Sequence, residues 1–67
     1  MNKRQILKDV WDTWATKEWF KYANYENEQS NKIVIQASYY PTLEMAQFRM
    51  FMGKYTDVQY EVTYPKG

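Results

Sequence analysis

The sequence predicts a small α+β domain with the element order α-β-β-α-β, in which two helices pack against a three-stranded, mainly antiparallel sheet. Two periodicities and one interruption predict it. Apolar residues recur at helical spacing over 3–15 and 42–53, and they alternate one by one over 32–39 and 58–64. Polar turn formers at 26–31 separate two strand-like runs by the length of a hairpin loop. With 67 residues, the chain is read as one domain, residues 1–67, near the lower size at which a core holds without disulfides or metal. A content of 45% hydrophobic and 19% aromatic residues, including three Trp, seven Tyr and three Phe, lets large side chains fill that core.

The first element is a helix over about 3–15. Asn2 and Gln5 have the spacing of a capping box, and Ile6, Leu7, Val10, Trp11 and Trp14 fall on one side, opposite Lys8 and Asp12. Packing of this indole-rich stripe on the sheet is the expectation, because so short a chain has few other residues to complete a core. Lys3 and Arg4 sit at the positive end of this helix dipole, against the usual preference.

Residues 18–25, EWFKYANY, read as a strand that carries apolar side chains on both faces. After the polar loop, Ile33, Ile35, Ala37 and Tyr39 alternate with Val34, Gln36 and Ser38 in a second strand. Pro41 ends it by removing a backbone donor, Thr42 is placed to cap a helix, and Glu44 in the first turn suits the helix dipole. Gly53 marks the stop of that helix. Val58, Tyr60, Val62 and Tyr64 then alternate with Gln59, Glu61 and Thr63, giving a strand with one buried and one wet face, which Pro65, Lys66 and Gly67 close. The preferred strand order is 2-1-3, wholly antiparallel, because an antiparallel sheet can leave one face in water. The order 1-2-3, with the second and third strands parallel, is the alternative.

The second helix carries more apolar residues than one stripe needs. Leu43, Ala46, Met50 and Phe51 make a core-facing stripe, and Met45, Phe48 and Met52 make a second on the other side. Either the N-terminal helix covers the second stripe, or the stripe is exposed for a partner or a second copy. Met suits adaptable contacts, and a Phe beside Met and Arg49 has the make-up of an interface hot spot. Met45, Phe48, Arg49 and Met52, with Tyr40 adjacent, are therefore the candidate contact surface.

Composition narrows the chemistry. The chain has no His and no Cys, which removes the commonest general base, the thiol nucleophile and the usual zinc ligands, and no cofactor is expected. Asp9 and Asp12 share a helix side but neighbour Lys8, as ordinary surface charges do. The only glycines are Gly53 and Gly67, so no phosphate-cradling loop exists, and an enzyme is not expected. Nine basic and eight acidic residues leave a net charge of +1, neither an excess for binding polyanions nor the acidity to imitate DNA. Six tyrosines in or beside the strands (Tyr22, Tyr25, Tyr39, Tyr40, Tyr60 and Tyr64) could stack single-stranded bases, but the alternation buries Tyr60 and Tyr64, and the glycine-aromatic signature of RNA-reading sheets is missing. Apolar runs are far too short to span a membrane, and the lack of Cys fits a reducing compartment, so the expected location is the cytoplasm.

Residues 19–64 combine an aromatic first strand, a polar turn, a second strand, the run Pro41-Thr42-Leu43-Glu44-Met45-Ala46 opening a helix, and the closing strand Tyr60-Glu61-Val62-Thr63. This layout resembles small bacteriophage proteins that inhibit host machinery, notably the short phage inhibitor of bacterial RNA polymerase, and it is similar to that of some small anti-CRISPR proteins. The N-terminal helix has no counterpart in the polymerase inhibitor, and no target-contacting residue carries over. The resemblance implies a non-enzymatic, stoichiometric inhibitor that binds a host protein complex, RNA polymerase or a CRISPR effector, and blocks it. A homodimer formed through the Met–Phe stripe is the alternative from the residues themselves.

Overall fold

The computed structural model describes residues 2–65; Lys66 and Gly67, expected to close the last strand, lie outside the described residues. Its elements are α1 (Lys3–Trp14), β1 (Phe20–Tyr25), β2 (Lys32–Ala37), α2 (Thr42–Gly53) and β3 (Gln59–Thr63), the order expected. Asn2 caps α1: its Oδ1 accepts from the backbone N–H of Arg4 at 2.9 Å and of Gln5 at 3.4 Å. The Gln5 side chain does not return to Asn2, as a capping box requires, and donates instead to Asp9 Oδ1 at 2.9 Å. Lys3, unfavourable at the dipole, gains two other partners: it donates to Glu28 O at 2.8 Å and lies 4.5 Å from the centre of the Tyr25 ring.

The sheet order is β1-β2-β3, with β1 and β2 antiparallel and β2 and β3 parallel, which corrects the expected 2-1-3 antiparallel arrangement. The free edge of β1 is occupied. Glu26 N donates to Lys32 O, so by strand alternation Ala23 and Tyr25 turn their backbone groups away from β2. Trp11 of α1 donates its indole N–H to Ala23 O at 3.0 Å, and Asn24 Oδ1 accepts from Tyr25 N–H at 2.8 Å. With its edge blocked, β1 cannot take β3, which is carried by α2 to the other side of β2. There Lys32 of β2 bridges to Glu61 of β3 at 2.6 Å. One face of the sheet still stays wet, since Tyr22, Asn24, Gln36, Gln59, Glu61 and Thr63 are all exposed.

A β-bulge between Phe20 and Tyr22 explains why β1 looked two-faced. The extra residue shifts the alternation, so Phe20 and Ala23 both point inward. Ala23, Ile33, Ile35 and Ala37 form the inner face, covered by Ile6, Val10 and Trp14 of α1 and by Met45, Phe48 and Met52 of α2. Phe48 lies at the centre of this core. Its ring meets Trp14 at 5.3 Å, Tyr60 at 5.7 Å and Trp19 at 6.1 Å, all edge-to-face.

Smaller departures have local causes. Pro41, and not Thr42, is the N-cap of α2; Met45 N donates to Pro41 O at 2.7 Å and no side chain caps the helix. Gly53 is the last helical residue, and Lys54 follows in a right-handed conformation with φ −72°, so the stop does not draw on glycine's freedom. Tyr64, expected to be buried, is half exposed because β3 ends at Thr63, and Tyr60 is only partly covered. β2 ends at Ala37, two residues before Tyr39, which is exposed.

Candidate interaction surfaces

The placement of α2 decides which of its two stripes is available. Met45 is 2% exposed, Phe48 0% and Met52 1%, so these three candidate contact residues belong to the core, covered by the sheet and by Trp14 and Trp19. A role for them as an exposed contact stripe is thereby corrected. The expected excess is real but lies on the opposite side: Leu43 is 84% exposed and Met50 80%, with the exposed Ala46 between them. At i, i+3 and i+7 they form one outward strip along the helix. Phe51, assigned to the same side as Leu43, is half-buried against Trp14 and Tyr55.

The other two candidates, Tyr40 and Arg49, are exposed and lie together at the flank of α2. Arg49 Nη2 donates to the Tyr40 hydroxyl at 3.3 Å, and the Tyr40 ring packs edge-to-face on Tyr64 at 5.4 Å. With Met45, Tyr60 and Val62 they line a groove of about 400 Å³ between α2 and β3. No carboxylate lines it. Arg49 makes no ion pair among the described residues.

A larger depression of about 620 Å³ lies between the start of α1 and the β1–β2 loop, lined by Lys3, Arg4 and Leu7 on one side and by 24–28 on the other. Lys3 and Arg4 face Glu26 and Glu28 across it, and two of its donors are already used: Lys3 on Glu28 O, and the Tyr25 hydroxyl on Lys3 O at 2.9 Å. Burial holds the Tyr25 phenol above its ordinary pKa, consistent with that donor role.

The ionisable groups elsewhere serve packing. Asp9 accepts from Gln5 and from the Tyr55 hydroxyl at 2.9 Å; the Gln5 amide first and the Tyr55 hydroxyl second hold its carboxyl below the usual range. Tyr55 is pushed up, first by burial and then by the Asp9 carboxylate. The hydrogen bond to Glu61 raises Lys32. Glu44 accepts from the Trp19 indole at 3.2 Å and pairs with Lys17 at 3.5 Å. Among the described residues, no three acidic, His or Cys side chains gather where one metal ion could be held, and no helix is long and apolar enough to cross a membrane.

Reading the sequence as a wheel would not by itself have separated the two α2 stripes, because both are apolar. A signal was nevertheless present: Thr42, Gln47 and Gly53 share the Leu43–Met50 side, and both Phe residues of the helix lie away from it. Small and polar neighbours mark the side that faces water. No protein-family model matches the chain, and neither a curated protein nor a solved structure matches it.

Proposed function

We propose that this chain is a non-enzymatic binding module that acts by occupying a surface of a larger protein and blocking it, as the small phage inhibitors it resembles do. A host protein complex in the cytoplasm, RNA polymerase or a CRISPR effector, is the target that this resemblance favours. The observation that carries the reading is the outward strip of α2. Two large apolar side chains, 84% and 80% exposed and the most exposed of their kind among the described residues, stand one above the other across two helical turns. Such i, i+3, i+7 anchors are the pattern by which a helix enters an apolar groove on a partner. Tyr40 and Arg49, of residue types enriched in binding hot spots, flank the strip.

The test is a tagged pull-down from bacterial lysate, with and without nuclease, comparing the natural chain with the Leu43→Glu/Met50→Glu variant. Retention of one large complex regardless of nuclease, lost in the folded variant, supports the reading and names the target. Retention that vanishes with nuclease replaces it with nucleic-acid binding. Retention unaffected by the variant removes α2 as the contact.

A further inference from the structure

The two edges of the sheet are treated differently. The β1 edge is closed by Trp11 and Asn24, whereas β3 is an edge strand with no further strand beside it among the described residues. Gln59 N donates to Asn31 O, so by alternation Gln59, Glu61 and Thr63 turn their backbone groups toward β2, and Tyr60, Val62 and Tyr64 turn theirs outward. Such an open row of donors and acceptors is a template for another strand. No Pro lies within β3, no bulge interrupts its register with β2, and Glu61 is the only charged side chain on it.

We propose that β3 pairs antiparallel with β3 of a second copy of this chain, with Val62 on the two-fold axis, joining the two sheets into one. The strand's own sequence selects this occupant and this register. The outward residues can pair with Glu61, Val62 or Thr63 on the axis, and the last leaves Tyr60 without an opposite residue among the described ones. With Glu61 on the axis, two carboxylates face each other directly, a destabilising pair. With Val62 on the axis, Val62 faces its symmetry mate, Tyr60 faces Tyr64 of the second copy, and Glu61 faces Thr63. Aromatic and β-branched pairs of this kind are the favourable ones. Pro65 then falls opposite Gln59 at a position whose backbone points toward β2, so its missing N–H is not needed.

Charge agrees. Lys21, at the bulge, lines a shallow depression with Thr63 and Tyr64 and makes no ion pair among the described residues. Glu61 of the second copy arrives opposite Thr63 with its charge already compensated by Lys32 of its own chain at 2.6 Å. On the inner side, Tyr60 and Tyr64 of the second copy enter the groove that Tyr40 and Arg49 line, where an Arg and aromatic rings suit one another. A net charge of +1 sets little long-range repulsion against such self-association. The dimer leaves Leu43 and Met50 uncovered, so it is independent of the proposed function and presents that strip twice.

Sedimentation velocity from about 1 μM to about 1 mM should show a monomer–dimer equilibrium. Thr63→Lys places a cation opposite Glu61 twice per dimer and should tighten association about tenfold, an advantage that shrinks with salt; Thr63→Glu should weaken it by a similar factor. Circular dichroism checks that both variants fold. In the natural chain, the Val62 amide should gain hydrogen-exchange protection as concentration rises. A monomer throughout the range overturns the proposal, as does a dimer on which the two substitutions act in the same direction. So does a dimer that Leu43→Glu/Met50→Glu abolishes while Val62 exchange stays fast. Loss of pull-down with the dimer intact would fail the proposed function alone.

Discussion

Replacing Phe48 by Ala tests the facing of α2, on which every interaction surface depends. The ring is fully excluded from water and meets Trp14, Trp19 and Tyr60 edge-to-face, so its removal leaves a cavity bounded by three large aromatic groups that cannot collapse into it. Phe→Ala at such a site costs about 3–5 kcal/mol. The whole domain, at 67 residues, is held by roughly 3–10 kcal/mol. The loss is therefore a large share of total stability. With a urea slope of about 1 kcal/mol/M, the unfolding midpoint should fall by roughly 3–5 M, or the protein should be unfolded without denaturant. Met50→Ala and Leu43→Ala, on the exposed strip, should stay within about 0.5 kcal/mol of the natural chain. Urea titrations followed by tryptophan fluorescence would measure all three. The reasoning is refuted if Met50→Ala or Leu43→Ala costs as much as Phe48→Ala, because the two stripes would then be exchanged. Phe48→Asp should not fold, so its inactivity would say nothing about a contact.

Other outcomes follow from single interactions. Trp11→Phe removes the donor from Ala23 O and opens the β1 edge; a loss of about 1 kcal/mol in urea, with faster aggregation by light scattering, is expected, and unchanged values would show that the edge is closed by something else. Asn2→Ala should cost about 1 kcal/mol through the lost cap, seen as a lower thermal midpoint. Tyr55 has its folded pKa raised above 10.0, so its contribution is complete below that pH and is lost as pH rises through the folded value. Asp9 is lowered, so its contribution is complete above the ordinary carboxylate value and is lost as pH falls through the folded value. Tyr55→Phe should reduce the alkaline limb of the urea midpoint against pH, to which the raised Tyr25, Lys8 and Lys32 also contribute; an unaltered limb would remove Tyr55 as a source.

The succession of elements is legible in the sequence because each has a strong local mark: the Asn2 cap, the alternation in β2 and β3, and Pro41 before α2. What is not legible is whatever depends on a partner far along the chain. Residue-by-residue alternation assigns a strand its faces only while the register is unbroken, and the bulge at Lys21 breaks it in β1. Strand order depends on which edge is free, and the β1 edge is closed by an indole from α1, a contact no local pattern encodes. The α2 stripes differ in side-chain bulk more than in polarity. Their sorting waits on the shape of the cavity formed by Trp14, Trp19 and Tyr60, into which Phe48 fits. For the same reason Tyr40 and Arg49 are exposed beside α2 while Met45, Phe48 and Met52 are not.

The aromatic residues explain how so short a chain can leave an edge and a helix face open. Trp11 contributes both a ring against Phe20 and Tyr22 and a donor to the β1 edge, so one side chain packs and blocks at once. Trp19 packs on Phe48 and also ties Glu44 to the start of β1. Tyr55 packs on Phe51 and binds α1 through Asp9. Each ring thus supplies buried area and a directed hydrogen bond, where an aliphatic core would need a second residue for the bond. Trp14 is the exception, with a buried indole N–H that finds no partner among the described residues. An unpaired buried donor costs about 1–3 kcal/mol, which the contacts of Trp14 with Trp19, Phe48 and Phe51 must offset. With the core satisfied by these side chains, Leu43 and Met50, 84% and 80% exposed, are not needed to close it.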